Sequence, residues 1–144
     1  MNLQKLLDEG KIEKVEQKEF SSDSIEKSLD FAKKGLEMER YDEVMPIAYN
    51  SIFRISNKLM NHLWYRAIGK EHHKNVFEFL VQAGFDKELA GYFDTVRKKR
   101  NDFIYRDIEK TSREEAQEIL SKAKLFVHKI RTFVQKKRTG EKVK

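Results

Sequence analysis

From Asp23 the apolar residues Ile25, Leu29, Ala32 and Leu36 recur at steps of four, three and four, the single stripe of an amphipathic helix, with Ser22 or Asp23 placed to cap it and an end expected near Arg40. The next segment, from about Asp42 to Ile68, carries its seam at Ala48, Ile52, Ile55, Leu59 and His62, flanked by Phe53, Leu63 and Trp64. Pro46 is compatible with it only in the first turn, and Gly69 is the expected stop. A shorter amphipathic piece from about Glu71 to Ala83, with Val76, Phe79 and Leu80 on one side and Gly84 after it, reads as an insert. A fourth segment starts at Asp86 and carries Leu89, Phe93 and Val96, then Arg100, then Phe103. The last starts at Thr111 or Ser112, where Thr111 with Glu114 and Ser112 with Glu115 both have capping-box spacing. Its stripe of Ala116, Leu120, Ala123, Val127, Ile130 and Val134 is widened by Ile119, Phe126 and Phe133.

Four long helices with such stripes bury them against one another, so the pattern predicts an all-α fold, an antiparallel up-and-down four-helix bundle with an extra short helix. Residues 2–9 predict a short helix stopped at Gly10, followed by a charged connector through Phe20. The expected division is an N-terminal arm at 1–20, the helical bundle at 21–135 and a basic flexible tail at 136–144.

Composition narrows the chemistry. The chain has 144 residues and no cysteine, which excludes disulfides, cysteine nucleophiles, thiolate zinc sites and iron–sulfur clusters. No run approaches the roughly 18 apolar residues that cross a bilayer, and Met1 to Gly10 lacks the apolar core of a signal peptide. The expectation is a soluble cytoplasmic protein without a membrane partner. The net charge of +6 suggests nucleic acid until its location is weighed: Lys136, Lys137, Arg138, Lys142 and Lys144 against Glu141 place +4 of it in the tail. Within the body the basic cluster is Arg97, Lys98, Lys99 and Arg100, close to Arg106.

Arg100 breaks the pattern, because the step rule puts it on the apolar seam. A guanidinium is always charged, so there it needs an internal acid or an anion that meets its fork at a cleft or subunit interface. Asn101 beside it and the adjacent cations favour a phosphate. His62 also falls on a seam and is a candidate base or ligand. His72 and His73 are adjacent, so on a helix their rings diverge by about 100° and do not chelate one metal. His128 has no motif around it. There is no Gly-rich phosphate loop, no zinc helix and no paired-carboxylate signature, and no metal or cofactor is expected. The Tyr and Phe residues are spaced as bundle stripes rather than as a stacking surface for single strands.

The string Arg97-Lys98-Lys99-Arg100-Asn101-Asp102-Phe103-Ile104-Tyr105 resembles the motif region of HEPN domains, in which an Arg is followed by a polar residue and, four to six positions after the Arg, by a His. The helix order and the stretch Gly69-Lys70-Glu71-His72-His73-Lys74 agree, and Leu6-Leu7-Asp8-Glu9-Gly10-Lys11-Ile12 is similar to the leader of some prokaryotic members. The resemblance implies a four-helix up-and-down bundle that dimerises to bring two copies of the Arg motif together. It also implies metal-independent ribonuclease chemistry, partnership with a minimal nucleotidyltransferase in a toxin–antitoxin-like pair, or a binding role. Here Tyr105 stands at the place of the motif histidine, and no His occurs between Asn101 and Asp107. Tyrosine, with a reference pKa of about 10, is a poor base for 2′-hydroxyl chemistry. Arg97, Asn101 and Tyr105 step by four into one row that can hold a phosphate or nucleotide without cleaving it. The reading is therefore a homodimeric, catalytically degenerate module that binds nucleotide, RNA or a partner through Arg97, Arg100, Asn101 and Tyr105. One rival is an active endoribonuclease in which Tyr105 donates and His62 or His73 is the base. Another is a purely structural bundle.

Overall fold

A computed structural model describes residues 2–106 and 111–138, with side chains placed for 2–99 and 111–136. The expected stripes become helices in order: α1 (Leu3–Asp8), α2 (Asp23–Glu37), α3 (Tyr41–His62), α4 (His72–Gln82), α5 (Lys87–Arg106) and α6 (Arg113–Arg138). Two three-residue strands complete the described elements, β1 (Ile12–Lys14) and β2 (Tyr65–Ala67). The fold class is all-α, as the periodicity requires. Ile25, Leu29 and Ala32 of α2, Ala48, Ile52, Ile55 and Leu59 of α3, and Leu89, Phe93 and Val96 of α5 are buried in one contiguous cluster with the stripe of α6.

Contacts between side chains give the directions. Arg54 of α3 reaches Ser24 and Ser28 near the start of α2, while Gly35 near its end faces Val44 at the start of α3, so the two are antiparallel. The N–H of Thr111, just before α6, donates to Asp42 Oδ1 at the start of α3 (2.7 Å), and Arg131 late in α6 pairs with Glu26 early in α2. Thus α6 runs with α3 and against α2. Asp86 pairs with Lys129, and Lys99 with Glu115, which sets α5 antiparallel to α6. The long helices therefore alternate in direction along the chain. α3 is the hub and packs on α2, α6, α4 and α5. Phe126 of α6 is wedged between Phe85 and Phe93, with ring centroids 4.8 and 5.4 Å away.

The structure departs from the periodicity in three places. First, α3 stops at His62 rather than Ile68, because Trp64 takes a left-handed backbone (φ 75°) and the chain turns into β2. The turn is held from the other side: the N–H of Val15 donates to the Trp64 carbonyl (2.9 Å), and the N–H of Lys18 to that of Asn61 (3.3 Å). β2 then pairs antiparallel with β1 in the register Ile12↔Ala67, Glu13↔Arg66, Lys14↔Tyr65. An apolar run of this length suits strand or helix, and the partner strand decides. Second, the charged connector after Gly10 supplies that strand. Ile12 and Leu6 are both buried in the same cluster as the long helices. Third, Pro46 lies in the second turn of α3, not the first, so the Asp42 carbonyl lacks the N–H donor four residues on.

Several helix ends close in the same way. At Gly10 (φ 69°) and Gly84 (φ 95°) a left-handed residue lets its own N–H and the next one return to the last turn, as in Gly84 N to Val81 O and Phe85 N to Leu80 O. Glu39 (φ 59°) does this without being glycine, with Arg40 N donating to Gly35 O at 2.8 Å. Among the described residues no helix is long and apolar enough to cross a membrane.

Candidate functional site

The motif residues all fall on α5, which is built for stability at its first turn. Asp86 caps it by accepting the Leu89 N–H at 3.0 Å and also receives Lys129 from α6. The Lys129 hydrogen bond, helped by the Leu89 N–H, holds the Asp86 carboxyl below its ordinary range. From this anchor the stripe Leu89, Phe93, Val96 runs inward, and the helical backbone continues unbroken to Arg106. Arg100 follows Val96 by four residues and so occupies the next position along that stripe. On this continuous backbone Arg97, Asn101 and Tyr105 occupy one row at steps of four. The side chains of Arg100, Asn101 and Tyr105 lie outside the described residues.

The basic run is less free than its sequence suggests. Arg97 is largely buried and its Nε donates to Asp94 Oδ1 at 2.8 Å, a contact within one helical turn. Lys98, which is exposed, lies 3.9 Å from the same carboxylate. Lys99 is bonded to Glu115. Of the two capping boxes available to α6, Ser112 with Glu115 forms: the Glu115 N–H donates to Ser112 Oγ (3.0 Å) and the Ser112 N–H to Glu115 Oε1 (3.2 Å). The Lys99 hydrogen bond and the Ser112 N–H keep the Glu115 carboxyl below its ordinary value. The three described cations of the run are thus each matched to an acid, and these acids also organise α5 and the start of α6.

The histidines sort differently. His73, in the first turn of α4, lies flat on Phe53 of α3 (centroids 3.8 Å apart, 5° between planes) and shares a 2.9 Å hydrogen bond between its Nδ1 and the hydroxyl of Tyr49. Tyr49 is completely buried, so its hydroxyl needs an internal partner, and a ring nitrogen one helix away provides one. His72 packs edge-on against the His73 ring and faces the Gly69 carbonyl through Nδ1 at 3.2 Å. The sequence did not announce this cluster. Tyr49 and Phe53 are four residues apart on α3, but nothing in the pattern indicates that α4 crosses them there. His62 stands at the far end of α3, nine residues from Phe53 and thirteen from Tyr49, about 14 and 20 Å along the axis. Its ring sits edge-on to Phe20, and its buried Nδ1 has no hydrogen-bond partner among the described residues. His62 and His73 therefore belong to separate environments and do not form one acid–base pair. Among the described residues no group of three or more His, Asp or Glu is arranged to hold a metal ion.

No protein-family model, curated protein or solved structure matches the chain.

Proposed function

We propose that the chain is a HEPN-type module, an up-and-down four-helix bundle acting as a homodimer, that binds a nucleotide, RNA or a partner such as a nucleotidyltransferase through Arg100, Asn101 and Tyr105 without cleaving RNA. What carries the reading is the position of Arg100 on the apolar line of α5 directly after Leu89, Phe93 and Val96, where a permanent charge needs an anionic partner. The alternating directions of α2, α3, α5 and α6 are those such a bundle requires. Arg97 is already bonded to Asp94, so in this reading the phosphate contact falls to Arg100. With tyrosine at 105, proton transfer at neutral pH loses its matched group, a loss of about 10²- to 10⁴-fold. The test is RNA cleavage in EDTA by the wild type, Arg100→Ala and Tyr105→Phe, with ligand binding measured on the same preparations. No cleavage, with binding lost in Arg100→Ala, is the expected result. Cleavage that disappears in Arg100→Ala overturns the non-catalytic reading.

One observation favours a second reading, an active endoribonuclease: the Tyr49–His73 contact holds an imidazole in one orientation, and where Nδ1 is the donor to the Tyr49 oxygen, Nε2 is the nitrogen that accepts a proton. Under it His73→Ala abolishes EDTA-resistant cleavage with helicity unchanged.

A further inference from the structure

The outer face of α2 and α3 places an exposed aromatic beside a guanidinium and two lysines. Phe31 is 63% exposed, off the buried stripe of α2 and thus outside the stripe spacing of the other aromatics. It lines an open groove of about 440 Å³ with Ile47, Phe53 and Arg54 of α3. Arg54 is held in place by neutral groups: Nη1 donates to Ser28 Oγ (3.1 Å) and Nη2 to Ser24 Oγ (3.0 Å). Lys27 and Lys34 sit four residues before and three after Phe31, on its side of α2, and are exposed. Neither lysine nor Arg54 has a carboxylate partner among the described residues. From Pro46 to His62 α3 contains no Asp or Glu at all. On α2, Glu26 is turned to Arg131 of α6, and Asp30, which lies one turn from both Lys27 and Lys34, forms no ion pair with either among the described residues.

We propose that this face binds single-stranded nucleic acid, with a base stacked on Phe31 and the neighbouring phosphates met by Arg54, Lys27 and Lys34. Single strands are held by this pairing of a π-face with cations that follow the backbone, and it tolerates any base. The serine hydroxyls orient the guanidinium without neutralising it, so its charge stays available for a phosphate. A protein partner fits less well, because interface cores are depleted of lysine, and here one lysine lies a turn before the aromatic and another a turn after it along the helix. The site shares no residue with the α5 row and does not depend on the reading of that row.

The experiment is fluorescence anisotropy of a labelled oligouridine with the full chain at about 50 mM and about 200 mM salt. The wild type binds, and more weakly at the higher salt. Phe31→Ala weakens binding by about five- to a hundredfold with an unchanged salt slope, whereas Arg54→Ala weakens it and lowers that slope by about one. Phe31 and Arg54 are both exposed, and the hydrogen bonds of Arg54 go to two surface serines, so both variants keep the wild-type circular dichroism. Wild-type-like binding by both variants overturns the proposal. If Arg100→Ala alone removes binding, the strand lies on α5: this proposal fails and the reading of α5 stands. Absence of oligouridine binding at low salt overturns it too, as does a dimer in sedimentation that Phe31→Asp converts to monomer and that binds no oligouridine, which makes the face a contact between copies.

Discussion

Asp86 joins two roles in one carboxylate, and they separate by substitution. Asp86→Ala removes the acceptor for the Leu89 N–H, a helix cap whose loss costs about 1 kcal/mol within a range of about 0.5–2. It also removes the pair with Lys129, whose partners are 24% and 44% exposed, so that this part is small, about 0.2–1 kcal/mol. The total is about 0.7–3 kcal/mol, or roughly 2–10 °C in Tm for a chain of this size. Asp86→Asn keeps a capping oxygen and loses the charge, so at pH 7 it falls by at most about 1 kcal/mol. Acid separates them further. Lys129, then the Leu89 N–H, lower the Asp86 carboxyl, so the folded protein holds that proton less tightly than the unfolded chain. The stabilisation is present in full above the ordinary carboxylate range and is lost as the pH falls through the lowered folded value. The gap between wild type and Asp86→Asn therefore closes in acid. Urea unfolding followed by far-ultraviolet circular dichroism across that range measures it. Asp86→Asn as damaging as Asp86→Ala at pH 7, or a gap that persists in acid, refutes the reasoning.

Three further outcomes follow from packing and backbone geometry. Ile12→Ala, although close to the N-terminus, costs about 2–5 kcal/mol in urea unfolding, because its side chain is buried with the long helices. Phe126→Ala costs about 3–5 kcal/mol, since it removes the ring between Phe85 and Phe93, and shows as a fall in thermal midpoint. Glu39→Gly stabilises by up to about 1 kcal/mol: relief of a left-handed non-glycine backbone, about 1–2 kcal/mol, exceeds the added freedom of the unfolded glycine. It raises the urea midpoint with no change in slope.

The long helices were legible because each buries a stripe that repeats at helical spacing, and Leu89, Phe93 and Val96 or Ala116 to Val134 have no other face to hide. The capping box of α6 was legible as one of two, at Thr111 or Ser112, because it depends on residues three positions apart, whereas Asp86 was legible only as the start of its helix. What periodicity does not encode is pairing between distant segments. The run from Leu63 to Ile68 continues a helical pattern, and only Ile12, Glu13 and Lys14 arriving alongside make it a strand. For the same reason the Tyr49–His73 contact was invisible, since it depends on where α4 crosses α3. The charge of Arg97–Lys99 was legible as a count but not as a field, because Asp94 and Glu115 answer it from one turn away and from the next helix. Phe31 stood out only once its neighbours were known to be cations and hydroxyls.

The turn at Trp64 has a use in the laboratory. It is the single tryptophan of the chain, 53% exposed, and its carbonyl receives Val15 while its neighbour begins β2. Its emission therefore reports on the clasp between the N-terminal strand and the end of α3, whereas circular dichroism reports on the helices. When the clasp opens before the helices melt, the two optical signals separate, and a single fluorophore placed by the fold itself gives the order of events.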